Sequence, residues 1–172
     1  MEDKLKMLAE ISGRLNEAGV EFAIGSSMLL YLNGLVDEAR DIDLFINGES
    51  DGKAIAILRD LGEVRIKPRH ALYTSSSFCT LVCDATEVDI IADFGVVNAD
   101  CMGSIYISRE SIEREILLHG EIVPLMYLED WMEFYQLMGR TEKVELLTEY
   151  FQKHHKSPRT GFMKFVVEGA DA

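Results

Sequence analysis

What this sequence has little of narrows it first. No apolar run approaches the roughly 18 residues of a helical membrane span, so contact with a membrane is not expected. Cysteine is scarce, at three residues with no Cys-x-x-Cys pair, which argues against a disulfide framework and for a reducing compartment. With no paired histidines nearby, Cys79, Cys83 and Cys101 do not make a zinc site either. Basic residues are outnumbered, 17 Lys and Arg against 30 Asp and Glu, giving a formal charge of −13. That argues against a grip on extended nucleic acid, because phosphates are repelled at long range. A small phosphorylated ligand bound through metal ions stays allowed. Proline is rare, and there is no internal repeat, low-complexity tract or dividing linker. The start, MEDKLKMLAE, is charged and periodic, unlike a secretory signal. A cytoplasmic protein with one domain over residues 1–172 is expected, since a chain near this length buries about 70% of its unfolded surface.

What is present is a clear series of elements. Leu5, Met7, Leu8, Ile11, Leu15 and Ala18 recur at helical spacing and predict an amphipathic helix over 2–18, stopped by Gly19. VEFAIG reads as a buried strand running into Gly25, and Ser26-Ser27 cap a helix that ends near Gly34. DIDLFI alternates acid and apolar residues and is a strand; GESDGK is a turn, and AIAILRDLG a helix ending at Gly62. VRIKP, ALYTS, FCTLVCD and EVDIIADF read as four further strands. ISRESIEREIL predicts a helix from about Ser108. EIVPLMY begins extended, turns helical at Leu128, and a last helix runs from Glu142 to His155. The tail from Ser157, with Pro158 and Gly161, is expected to be loosely held. This order predicts an α+β fold: a mixed β-sheet flanked by helices, with its core over about 20–127 and a C-terminal helical segment over about 128–156.

The chemistry concentrates in Asp41-Ile42-Asp43. Alternate strand residues share a face, so the two carboxylates stand about 6–7 Å apart and repel unless a cation or water intervenes. Asp89, in Val88-Asp89-Ile90, is a third acid inside an apolar strand, and Asp93 would share its face if the strand stays regular. Converging acids of this kind suit hard divalent ions such as Mg²⁺ or Mn²⁺, which leave positions for phosphate oxygens. Upstream, Gly25 and Ser26 join a strand to a helix start, where a small residue lets a phosphate approach the helix N-terminus. Arg40, next to the acids, could neutralise phosphate charge. Arg65, Lys67 and Arg69 alternate along one strand face, either as a solvated edge or as binders of triphosphate or acceptor. Trp131, Phe134, Tyr135 and Met138 form a helical stripe that packs on the sheet.

Apolar-Gly-Ser, then 14 residues, then Asp-apolar-Asp-apolar and a later apolar-Asp-apolar resembles the nucleotidyltransferase superfamily with the DNA polymerase β-like catalytic fold. FAIGSSMLLYLNGLVDEARDIDLFI is most similar to its small bacterial and archaeal branch related to toxin–antitoxin systems. LEDWMEFYQLMGR resembles the helix after that branch's catalytic core, with Glu129, Asp130, Gly139 and Arg140 matching. Where relatives carry a lysine in that helix, this chain has Tyr135 and Gln136. The resemblance covers about 20–145. It implies metal binding by Asp41 and Asp43, completion of the site and activation of an acceptor hydroxyl by Asp89, and phosphate contacts from Gly25 and Ser26. The implied reaction is transfer of a nucleoside monophosphate from an NTP such as ATP to a small molecule, a protein side chain or a tRNA end. A catalytically inactive binding or sensor protein of the same fold is the alternative.

Overall fold

The computed structural model describes residues 1–154 and 163–166. In chain order these form α1 (Glu2–Glu17), β1 (Phe22–Ile24), α2 (Ser26–Leu32), β2 (Ile42–Ile46), α3 (Asp51–Leu58), β3 (Glu63–Ile66), β4 (Ser77–Cys83) and β5 (Thr86–Ala92). Then come β6 (Gly95–Val97), β7 (Cys101–Ser104), β8 (Ile112–Leu118), β9 (Glu121–Met126), α4 (Leu128–Leu137), α5 (Thr141–His154) and β10 (Met163–Val166). His155, Lys156 and the start of the tail at Ser157 lie outside the described residues.

Seven strands make one mixed sheet in the order β3-β4-β5-β2-β1-β9-β8, and β10-β7-β6 make a second. In the larger sheet β2 runs parallel to β5 and antiparallel to β1, while β1 is parallel to β9. Helices pack on this sheet, as expected from the pattern of elements. Ile42, Leu44 and Ile46 are buried on one face of β2, and α1 packs against β5, β9 and α3. Phe45 points the other way, where it meets Trp131 of α4 and Phe94 at ring-centroid distances of 5.3 and 4.9 Å. The stripe Trp131, Phe134 and Tyr135 is buried in this second core, which is what its helical spacing predicts.

Four readings need correction. The segment from Ser108 is not a helix: Ser108 and Ser111 form a capping box on one 3₁₀ turn, and β8 follows. The deciding feature is His119-Gly120, with φ of +47° and +85°, a pair of left-handed residues that folds β8 back onto β9. Glu and Arg are good helix formers, but propensity amounts to a few tenths of a kcal/mol per residue and the cross-strand pairing overrides it. The segment read as ALYTS is a turn with one isolated bridge, Tyr73 to Val96. α3 begins at Asp51, three residues before the expected Ala54, so part of the supposed turn is helix. β6 and β7 were hidden because each is only three or four residues long; the Asn98 side chain turns the chain between them by accepting the Asp100 and Cys101 N–H groups.

Asp93 also departs from expectation. β5 ends at Ala92, and Asp93 adopts φ +50° and turns out of the strand. Its carboxylate accepts the Gly48 N–H at 2.7 Å and the Ser76 hydroxyl at 2.7 Å, so it ties two loops together rather than joining the other acids. Asp93→Ala should therefore lower stability by about 1–2 kcal/mol, as expected for two exposed charge-assisted hydrogen bonds. Urea unfolding reads this, and a change below about 0.5 kcal/mol would show that the tie carries no stability.

Candidate functional site

β2 and β5 are parallel neighbours in register, with Asp43 directly paired to Asp89. The alternation of both strands sends these two carboxylates to the face that carries Phe45. Asp41 precedes β2, and the Ser27 hydroxyl donates to its carbonyl at 3.2 Å, tying the start of the acid strand to α2. The three acids, Ser26 and Arg40 line one cavity of about 390 Å³. Its walls include Phe45, Trp131 and Tyr135, and Arg140 and Lys143 reach it from the α4–α5 junction. Asp41, Asp43, Asp89, Ser26 and Arg40 thus come together, whereas Gly25 does not line the cavity and is tied to it through its N–H, which donates to the Asp43 carbonyl at 3.4 Å.

Gly25 is extended (φ −132°, ψ −163°), so its backbone does not require glycine. Space does: a Cβ here would lie 2.4 Å from the Trp131 indole nitrogen. The room that glycine leaves at this position is filled by the indole. The next residue, Ser26, holds φ +55°, a strained conformation for a residue with a side chain. In return its hydroxyl donates to the Asp43 carboxylate and is also hydrogen-bonded to the Tyr135 phenol.

Burial raises the Asp43 carboxyl from 3.8 to about 7. The Ser26 hydrogen bond pulls it down, the Asp89 and Asp41 carboxylates push it up again, and Lys67 pulls it down. Asp89 is braced on both oxygens: the Thr80 hydroxyl donates to Oδ1 at 2.6 Å, and the Lys67 ammonium lies 3.0 Å from Oδ1 and 3.2 Å from Oδ2. Lys67 also sits 4.8 Å over the Phe78 ring. Burial pushes the Tyr135 phenol up to about 12, so it remains a neutral donor at physiological pH.

Among the described residues no three His, Cys, Asp or Glu side chains close on a point tightly enough to enclose an ion. The donor set is nevertheless oxygen only, and Asp43 is held against two other acids with just one lysine to offset them. Such a set fits a hard divalent ion that completes its shell with water and phosphate oxygens.

Sequence reasoning did not single out Lys143, and left the alternating bases Arg65, Lys67 and Arg69 undecided; β3 ends at Ile66, so only Arg65 lies in that strand. The structure separates those bases. Arg65 is paired with Glu63 at 3.1 Å, Lys67 reaches Asp89, and Arg69 lies further along the connection to β4. Lys143 carries no local motif; one turn of α5 beyond Gly139-Arg140 is the only signal for it.

No protein-family profile matches the sequence, and no curated protein does. Solved structures do match. TM1012 of Thermotoga maritima, provisionally assigned as a nucleotidyltransferase, is 22% identical with a TM-score of 0.66, over 88% of this chain and 94% of that one. The fold is that of the nucleotidyltransferases. ANT(2″)-Ia, solved with adenylyl-2″-tobramycin, is 16% identical with a TM-score of 0.53, over 90% of this chain and 99% of that one. The lincosamide antibiotic adenylyltransferase LnuA, solved with lincomycin, is 18% identical with a TM-score of 0.51, over 78% and 85% of the two chains. In this nucleotidyltransferase fold no described helix is long and apolar enough to cross a membrane.

Proposed function

We propose that the protein is a metal-dependent nucleotidyltransferase, moving a nucleoside monophosphate from an NTP to an acceptor hydroxyl and releasing pyrophosphate. The observation that carries this reading is the in-register pair Asp43–Asp89, with Asp41 and Ser26 in the same cavity and Arg40, Arg140 and Lys143 around it. The shared fold of two named adenylyltransfer structures supports it.

In this mechanism the acceptor oxygen bonds to the α-phosphorus as the bond to the β-phosphate oxygen breaks. The leaving electron pair departs with pyrophosphate, and Arg40, Arg140 and Lys143 offset its charge. Asp89 takes up the hydroxyl proton, held in place by Thr80. Ser26 orients Asp43 and offers its backbone, with that of Gly25, to the phosphates. Asp41, Asp43 and Asp89 would hold Mg²⁺ or Mn²⁺, which when bound withdraws charge from the α-phosphate. Lys67 keeps Asp89 compensated before substrate arrives. Action in the cytoplasm is part of this reading and rests on the scarcity of cysteine in the sequence. The toxin–antitoxin branch rests on the FAIGSS and RDIDLFI resemblance.

Thermal unfolding with each NTP, with and without Mg²⁺ or Mn²⁺, tests the binding half. A nucleotide at 100 times its dissociation constant stabilises by about 2.7 kcal/mol, which for a chain of this size raises Tm by roughly 5–10 °C. The increment is expected only when nucleotide and metal are both present. If no NTP shifts Tm with either metal, the transferase reading fails.

A further inference from the structure

Beside the acid cavity lies a second one, of about 410 Å³, formed where the chain passes from β3 to β4. The two share Tyr73 and Phe78 as walls. Lys67 lines the second cavity while its ammonium rests on Asp89, so the space borders the carboxylate that would receive the acceptor's proton. We propose that this cavity is the acceptor subsite, and that it selects a small hydroxyl-bearing molecule with an apolar body and an anionic group.

Three features point to that chemistry. The walls supplied by Ile66, Pro68, Tyr73 and Phe78 are apolar, and Ile66, 81% exposed, leaves aliphatic surface that a bound molecule would cover. The ionic side chains of the lining are Lys67 and Arg69, with His70 beside them. The sequence has 30 Asp and Glu, yet none of them lines this space. Two acids that adjoin its lining are already engaged: Asp89 by the Lys67 ammonium and the Thr80 hydroxyl, and Asp93 by the Gly48 N–H and the Ser76 hydroxyl. Arg65 is spent on Glu63, whereas Arg69 makes no ion pair among the described residues and remains exposed. Finally, the Ser75 hydroxyl oxygen is buried with no hydrogen-bond partner among the described residues. A buried hydroxyl left unpaired is costly, and rotation of the Ser75 side chain into the cavity it lines would let a polar substituent of the bound molecule pair with it.

The volume is that of a drug-sized ligand site with a few polar groups that fix orientation. A polyamine acceptor of the tobramycin kind would bring its ammonium groups against Lys67 and Arg69. This chain is therefore assigned a different acceptor class from that of ANT(2″)-Ia, despite the common fold.

The proposal rests on the transferase reading for its function, but its test does not use nucleotide. Three probes share one hydroxyphenyl body and differ in charge: 4-hydroxyphenylacetate, tyrosol and tyramine. Titration calorimetry and saturation-transfer NMR on the full chain are expected to rank them anion, neutral, cation, with the anion about tenfold tighter than the cation, roughly 1.4 kcal/mol. Arg69→Glu should reverse that order, and Phe78→Ala should weaken all three. Asp43→Asn should leave the ranking unchanged. Equal or tighter binding of tyramine or tobramycin overturns the proposal, as does no binding of any probe at millimolar concentration or an unchanged order in Arg69→Glu. Anion selectivity alongside a failed metal-dependent nucleotide shift would sink the transferase reading alone; a normal nucleotide shift with tyramine preferred would sink the acceptor assignment alone.

Discussion

Asp43→Asn is expected to abolish nucleotidyl transfer, by about 10³-fold or more, while making the metal-free protein more resistant to heat at pH 8. A 10³-fold loss corresponds to about 4 kcal/mol of transition-state stabilisation, a reasonable figure for removing the central acid of a site that aligns charged groups. The gain in stability has a separate origin. Asp43 ionises near 3.8 in the unfolded chain and near 7 in the fold, where burial and the facing carboxylates of Asp89 and Asp41 outweigh Ser26 and Lys67. Tyr135, also close, stays neutral in this range because burial holds its phenol near 12. Between those two values the folded protein keeps a proton that the unfolded chain has released. Stability contributed by the neutral form is thus complete below about pH 4 and is lost as pH rises towards and through 7. Asparagine carries no charge to bury, so its advantage over wild type should be negligible below pH 4, partly developed at pH 5 and fully developed at pH 8. The measurement is Tm against pH in EDTA. Equal profiles for the two proteins would mean that Asp43 is solvated rather than held against its neighbours. Adding Mg²⁺ with an NTP should reverse the ranking, since only wild type gains from both.

The two halves of that prediction differ in how readable they were. The acid strand was legible because period-two alternation carries facing: Asp41-Ile42-Asp43 had to place its carboxylates away from Ile42 and Leu44. Their meeting with Asp89 was legible only through the family resemblance, because no local pattern shows that β2 and β5 are parallel and in register. Lys67 illustrates the limit. Its alternation with Arg65 and Arg69 put all three on one face, but their partners differ in origin: Arg65 meets Glu63 on its own strand, whereas the acid that Lys67 meets, Asp89, comes from β5, 22 residues away, and no local pattern shows that. β8 was misread for a related reason. ISRESIEREIL has helical composition, and the information against a helix lies after it, in His119-Gly120. Gly25 was read for phosphate approach; the close neighbour that the structure gives it is Trp131, 106 residues away in sequence.

That contact supports the second large effect. Trp131→Ala should cost about 3–5 kcal/mol, and Gly25→Ala about 1–3 kcal/mol or somewhat more. Trp131 is 1% exposed and boxed in by Phe45, Phe94, Phe134 and Tyr135, with ring centroids 5.3–5.6 Å away. Its indole N–H points at the Met126 sulfur, 3.4 Å distant. A methyl at position 25 would meet three indole atoms at 2.4–2.5 Å, and the ring has nowhere to retreat. Backbone preference is not the cause, since alanine adopts the extended conformation of Gly25 freely. The two costs should therefore fail to add. Once the indole is gone, the added methyl enters the space it left, and Gly25→Ala in the Trp131→Ala background should be neutral or favourable. A double-mutant cycle by urea unfolding is expected to give a coupling of at least about 1 kcal/mol. Additive costs would show that Gly25→Ala acts through the chain before α2 rather than through the ring. The position matters to the chemistry because Ser26, held at φ +55° beside Asp43, follows Gly25 directly. Any displacement that relieves the clash by moving backbone instead of indole carries Ser26 off the Asp43 carboxylate, so Gly25→Ala should also weaken metal-dependent nucleotide binding. Gly25→Ala/Trp131→Ala should recover part of that binding, although its core is the less well packed of the two.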